Sequence, residues 1–297
     1  MMDIVDAQVH LGPGGISEMV AAMDAIGIRA AMVDEWWVGT PGHPGYELPN
    51  GAYRPVTPTT ELAAWQYPDR FAYLLRVDHR DPELDSLVRQ ARDATYCRAL
   101  RILAGNTRAE MASFEAGDHG HVFRAAADNG LPLFVMAAGL ADTVAGYADR
   151  YPETKIILDH TGMPYGKLLR PILAQLEGLP DSAAWWAAFG DGPLDMWFDK
   201  VLRLADRPNV ALKWGHAPSM FDEPGYPNAG LRPWLRKALD AFGADRVMWA
   251  SDNTVNQTGE SWAELCFMIR NDPGLSDAEK AAVLGGTART WLDWPVA

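Results

Sequence analysis

The sequence predicts an α/β fold, a distorted TIM (β/α)8 barrel, on three observations. Eight short apolar runs rich in β-forming residues alternate with helical patterns from one end of the chain to the other. A length of 297 residues suits eight such units. No internal repeat, low-complexity tract or linker divides the sequence, so residues 1–297 read as one barrel domain.

Taken in order, the predicted strands are DIVDAQVH, RAAMVDEW, FAYLLRVD, CRALRILA, LPLFVMAA, KIILDHTG, VALKWGHA and RVMWASDN. Between them, ISEMVAAMDAIG, PELDSLVRQARDA, HVFRAAADNG, ADTVAGYADRY and LRPWLRKALDAFG place apolar residues three to four apart, often with a glycine near the end, as helices do. Two connections are long and are read as irregular: about residues 37–59, rich in Pro and Gly, and 161–195, rich in aromatics. Both are expected over the barrel mouth, where they would select the substrate. The closing AVLGGTARTWLDW reads as a terminal helix packed under or beside the barrel.

Composition narrows the function classes. Hydrophobic residues make up 48% of the chain, enough for a large core. A net charge of -13 with no clustered basic surface argues against nucleic acid as a partner. The longest apolar runs, such as RVMWA and LPLFVMAAGLA, are too short to cross a bilayer, and no basic segment followed by an apolar stretch opens the chain. The expectation is a soluble cytoplasmic protein acting on a small molecule, with homo-oligomerisation through Trp-rich segments left open. Two cysteines, Cys97 and Cys266, are too few for a disulfide framework and read as small core residues.

Barrel enzymes assemble their sites at the C-terminal ends of the strands. The polar residues there are Asp6, Gln8 and His10 on the first strand, Asp34 and Glu35 on the second, and Arg76 and Asp78 on the third. Arg98 and Arg101 follow on the fourth, then Met136 alone on the fifth, Asp159 and His160 on the sixth, Lys213 and His216 on the seventh, and Asp252 on the eighth.

At these positions the chain resembles the amidohydrolase superfamily, in the amidohydrolase-related branch that contains lactonases and decarboxylases. The resemblance runs through DAQVH, ALRIL, IILDHTG, VALKWG, RVMWASDN and VLGGTARTWL, nearly the whole chain. It implies a His-x-His pair on the first strand, a histidine ending the fifth and an aspartate ending the eighth in metal-dependent members. Here Gln8 replaces the first of the pair and Met136 the fifth-strand histidine, leaving His10 and Asp252. A catalytic zinc wants three good protein ligands, and neither an amide nor a thioether substitutes well for imidazole. No cofactor is therefore expected. The alternative is one divalent ion such as Zn held by His10, His160 and Asp252.

The resemblance implies Asp252 as general base, with His160 and His10 at the substrate carbonyl and Arg101 binding a carboxylate or an oxyanion. Gln8, Arg76, Lys213, Trp36 and Trp214 complete the substrate-binding set. Gln8 orients water or substrate, or only bonds the barrel floor. Arg76 either binds an anion or pairs with Asp78, and Lys213 is open to a plain buried ion pair. Trp36, Trp37 and Trp214, beside strand ends, suggest a flat apolar substrate. Arg98 and Arg101 are three apart, so a regular strand turns them to opposite faces, Arg101 inward.

His119-Gly-His121, the only literal His-x-His in the chain, starts a helix where its rings diverge, and reads as surface or capping histidines. His43 and His79 are loop residues without visible partners. The reading is a hydrolase opening a small carboxylated lactone. A metal-dependent decarboxylase of the same fold and a non-catalytic small-molecule binder are its rivals.

Overall fold

The computed structural model describes residues 2–12, 15–37, 44–253 and 259–296; His43 lies outside them. Ten strands occur among these residues: β1 (Val5–Leu11), β2 (Ala30–Glu35), β3 (Gly45–Glu47), β4 (Tyr53–Pro55), β5 (Phe71–Arg76), β6 (Cys97–Ile102), β7 (Leu133–Val135), β8 (Ile156–Leu158), β9 (Val210–Trp214) and β10 (Val247–Trp249). Eight form one parallel sheet in the order β1-β2-β5-β6-β7-β8-β9-β10, with helices between them. The Asp252 amide donates to the Gln8 carbonyl at 3.0 Å and the His10 amide to the Asn253 carbonyl at 3.3 Å, bringing the last strand's exit back against β1. The eight predicted strands are these eight.

Side-chain alternation along the strands sorts the barrel interior into layers. The layer at the strand starts is apolar: Val5, Ala7, Met32, Leu74, Phe134 and Met248 share one buried cluster with Trp291, Leu292 and Trp294 from the C-terminal segment. The helix Thr287–Trp291 thus closes the barrel floor. It can approach because the preceding turn of π-helix, Ala282–Gly286, has a glycine at 285, where a Cβ would strike the Asp3 carbonyl. Arg289 adds a bidentate pair to Asp3 at 2.9 and 3.0 Å.

Two register shifts decide what faces inward above that floor. In β1, Asp6 pairs with Ala31 but Val9 with Val33, so β1 holds one residue more than β2. Val5 and Ala7 pack in the barrel interior, whereas Val9 and Leu11 join the outer core under the helices. The bulge thereby re-aims Gln8 and His10 into the barrel, the use to which β-bulges beside active sites are put. In β6 the extra residue is Arg98, since Tyr73 pairs with Cys97 and Leu74 with Ala99. Arg98 turns outward and donates to the Asp293 carbonyl at 2.7 Å, and Arg101 points inward.

Both long connections carry regular elements where they are described. The first carries the antiparallel hairpin β3/β4, turned through Asn50-Gly51, with Gly51 at φ 80°. The second carries the helices Arg170–Glu177 and Ser182–Ala188. Serine caps whose side chains bond the third helical residue, with glutamate bonding back, start the helices at Trp262 and Asp277. Cys97 and Cys266 are buried thiols, each pushed up to about 12 by that burial. No helix among the described residues is long and apolar enough to cross a membrane.

Candidate active site

At the strand ends a cavity of about 390 Å³ is lined by His10, Trp36, Arg76, Arg101, Met136, His160, His216 and Asp252. Its outer wall is apolar, supplied by Tyr165, Leu169, Leu173 and Leu176 from the second long connection.

Asp252 is the hub. Its Oδ1 accepts from Gln8 Nε2 at 2.8 Å and from His10 Nε2 at 2.9 Å; its Oδ2 pairs with His216 Nε2 and lies 3.9 Å from His160 Nε2. Burial alone would raise this carboxyl, but His216, His10 and His160 outweigh it and hold Asp252 well below the usual carboxylate range. Asp252 is therefore an anion at any physiological pH.

His160 is buried, and burial with the nearby Lys213 charge holds its imidazole far below the ordinary histidine value. Arg101 Nη2 stands 3.2 Å from His160 Nε2. A guanidinium can only donate, so Nε2 carries the lone pair and the proton belongs on Nδ1. His160, His216 and Asp252 all adopt left-handed backbone conformations, at φ 48°, 53° and 54°. A non-glycine residue pays roughly 1 kcal/mol or more for this, and three such residues meeting at one cavity is the pattern of a functional site.

Below the cavity, charges alternate around the barrel. Arg76 and Arg101 grip Asp34, with Arg76 Nε at 2.7 Å. Arg101 Nε and Lys213 Nζ bind Asp159 at 2.8 and 2.7 Å, and Lys213 also reaches Gln8 Oε1, which closes the chain onto Asp252. Burial would raise Asp34, yet the two guanidinium groups hold it well below its normal range. Unpaired, any of these buried ions would cost several kcal/mol, so the network acts as a unit.

The structure sorts the expected residues. His10, His160, Asp252, Arg76, Arg101 and Trp36 line the cavity, and Trp36 meets His10 edge-to-face at 5.4 Å. Gln8 and Lys213 do not: both are fully buried beneath it, where they position Asp252 and Asp159. Trp214 is also misplaced by the sequence reading. It follows the inward Lys213 by one residue, so the pleat turns it outward onto Phe198 and Phe221. Arg76 pairs with Asp34 and not with Asp78, which Arg80 binds at 2.7 and 2.9 Å. Arg76 Nη1 has no hydrogen-bond partner among the described residues, whereas Arg101 has given nitrogens to Asp159, Asp34 and His160. His119 is buried rather than on the surface, and His79 has partners.

His216 is the residue to which sequence reasoning assigned no role. Its position at the end of the seventh strand was the available signal. In the candidate metal set it replaces His10: His160, His216 and Asp252 each offer a ligand atom, mutually within 4.8 Å. Two imidazoles and a carboxylate suit a zinc-like ion. Arg101 does not suit it, because an ion on His160 Nε2, the nitrogen facing Asp252, would displace the guanidinium's hydrogen bond and sit against its charge.

The chain belongs to the amidohydrolase family, whose profile matches residues 5–294. It is 28% identical over 154 residues to L-fucono-1,5-lactonase of Burkholderia ambifaria, a match covering 48% of this chain and 42% of that one. The matched segment thus spans less than half of the curated relative. In fold it is similar to an amidohydrolase of Burkholderia multivorans determined with bound zinc (TM-score 0.72, 19% identity, 99% of this chain and 100% of the other). It is also similar to 5-carboxyvanillate decarboxylase of Sphingomonas paucimobilis (TM-score 0.59, 17% identity, 99% of each chain).

Proposed function

We propose that the protein is a hydrolase that opens a small lactone carrying an anionic group, and that it needs no metal ion. The observation that carries this reading is Asp252: an ionised carboxylate at the barrel mouth, fixed on Oδ1 by His10 and Gln8, with its other oxygen facing His160 across 3.9 Å. The lactonase names of the relatives agree with it. Arg101's hydrogen bond to His160 supports the absence of an ion.

In this reaction a water between Asp252 Oδ2 and His160 gives its proton to Asp252 as its oxygen bonds to the lactone carbonyl carbon. The ring C–O bond then breaks, and the proton passes to the departing alkoxide. A carboxylate held this low is a weak base, so the Arg101 and Arg76 charges must stabilise the developing oxyanion. Arg76 Nη1 anchors the substrate's anionic group.

The His160, His216 and Asp252 cluster favours one other reading, a decarboxylase that binds a divalent ion there. Elemental analysis of protein purified without chelator or added metal, followed by assays on 1,4- and 1,5-lactones and on aromatic acids, separates the two. Lactone turnover with no loss on chelation is the expected result. One tightly held ion with carbon dioxide release from an aromatic acid would overturn it. Saturable binding of a lactone without turnover would reduce the protein to a binder.

A further inference from the structure

A second cavity, of about 330 Å³, adjoins the first across Arg76, Arg101, Leu103 and Asn106, and the lactonase reading makes no use of its far wall. There His79, from the segment after β5, meets Glu110 in the helix Arg108–Ala116 and His119 at the start of the helix Gly120–Asp128. The two imidazole rings lie 4.0 Å apart, and each offers one nitrogen to Glu110 Oε2: His119 Nε2 at 3.9 Å and His79 Nδ1 at 4.0 Å. One ligand atom from each of the three residues falls within 4.8 Å of the others.

The hydrogen bonds around His79 say which nitrogen is free to bind. Ser113 Oγ donates its single hydrogen to Asp118 at 2.7 Å, so towards His79 Nε2, 3.1 Å away, it can only accept. The ring proton is therefore on Nε2. Nδ1 presents its lone pair to two carboxylates, Glu110 at 4.0 Å and Asp78 at 3.7 Å. The Arg80 guanidinium already answers both carboxylates, at 2.7 Å on Asp78 and 3.5 Å on Glu110 Oε1, and leaves Glu110 Oε2 turned to the two imidazoles. His119 adds a second ring that is buried, with its Nε2 turned to the same Glu110 oxygen.

We propose that His79 Nδ1, His119 Nε2 and Glu110 Oε2 bind a divalent transition-metal ion of the zinc class, with the fourth position open to the cavity. Two imidazoles and one carboxylate are a ligand set that zinc accepts, and Asp118 and Ser113 orient His79 in the manner of outer-shell partners at known metal sites. The ion would tie the segment after β5 to the two helices after β6, stiffening the wall that Arg76 shares with the first cavity. This site is separate from Asp252 and stands whether or not the lactonase reading does.

The test uses the full chain, stripped with chelator and then titrated with Zn2+ alone in equilibrium dialysis with elemental analysis. Wild type should bind one ion at this site. Glu110→Gln and His119→Ala should each weaken that ion at least tenfold, while Asp252→Asn retains it. Co2+ in place of Zn2+ should give the visible absorption of a four-coordinate N/O site, lost in the same two variants. Glu110 is half-buried on a helix, so its variant tests the site even if His119→Ala does not fold. Zn2+ binding unchanged in Glu110→Gln, or no bound ion in wild type, overturns the proposal.

Discussion

The two halves of the barrel interior are built from the same strands by opposite means. At the strand starts, Ala7, Met32, Leu74 and Met248 pack against Trp291 and Trp294, and buried apolar area stabilises this layer. At the strand ends, Asp34, Arg76, Arg101, Asp159, Lys213 and Asp252 are just as buried but are charged. This upper layer is tolerable only because each ion faces its counter-ion, and replacing such a network by packed apolar residues is often neutral or stabilising. Stability therefore does not explain its presence. The contrast assigns folding to the floor and chemistry to the mouth.

The sharpest way to break that division is Asp252→Asn. The amide keeps the size of the side chain and loses the negative charge that His10, His216 and Gln8 all address. On the lactone that the screen identifies, kcat/KM should fall about 10²- to 10⁴-fold, the range general-base removal gives, with the circular dichroism spectrum unchanged. Retention of full activity would falsify the assignment of the base.

The floor should show the reverse. Trp291→Ala removes a large side chain from the apolar cluster and should cost roughly 3–5 kcal/mol of unfolding free energy in urea titrations. Activity per folded molecule should stay within about twofold, the mouth being unaltered. A kinetic loss comparable to that of Asp252→Asn would show that floor and mouth are not separable. Arg76→Lys has a smaller and more selective effect. Lysine keeps the charge on Asp34 but has no planar fork, so the free Nη1 is lost. KM for an anionic lactone should rise about tenfold with kcat little changed, as expected for loss of one charge-assisted hydrogen bond. A neutral lactone should show no such rise.

How much of this the sequence discloses follows the same division. The barrel and its strand ends are legible because they depend on local period and on side-chain type. Asp252, His160 and His10 are legible as polar strand-end residues, and all three line the cavity. The bulge that turns His10 inward is not, since a register shift between β1 and β2 is a property of the pair. Trp214 misleads for a related reason, because adjacency to a strand end says nothing about which face a side chain takes. His79 and His119 are separated by forty positions and by a strand, and only packing brings their rings to 4.0 Å. The hairpin β3/β4 did carry a signal: Asn50-Gly51, between Tyr46 and Tyr53, is a dipeptide that favours tight turns.

The smallest expected effect is a null one across the neutral range, and it tests whether the mouth is held by carboxylates already charged. Asp34 has its value depressed by Arg76 and Arg101 against the opposing pull of burial. A carboxyl with a depressed folded-state value contributes stability that is fully present above its unfolded value, about 3.9, and is lost only as pH falls through the folded one. Asp34→Asn leaves two buried guanidinium groups poorly compensated, so it should lower stability by about 3–5 kcal/mol at neutral pH. The gap between wild type and variant, read from urea midpoints, should be constant from about pH 8 to pH 5 and begin to close only below about pH 4. If it closes instead between pH 6 and 7, where histidine titrates, then the charge that governs the mouth belongs to an imidazole, and the division between a fixed ionic layer and a movable proton at Asp252 must be redrawn.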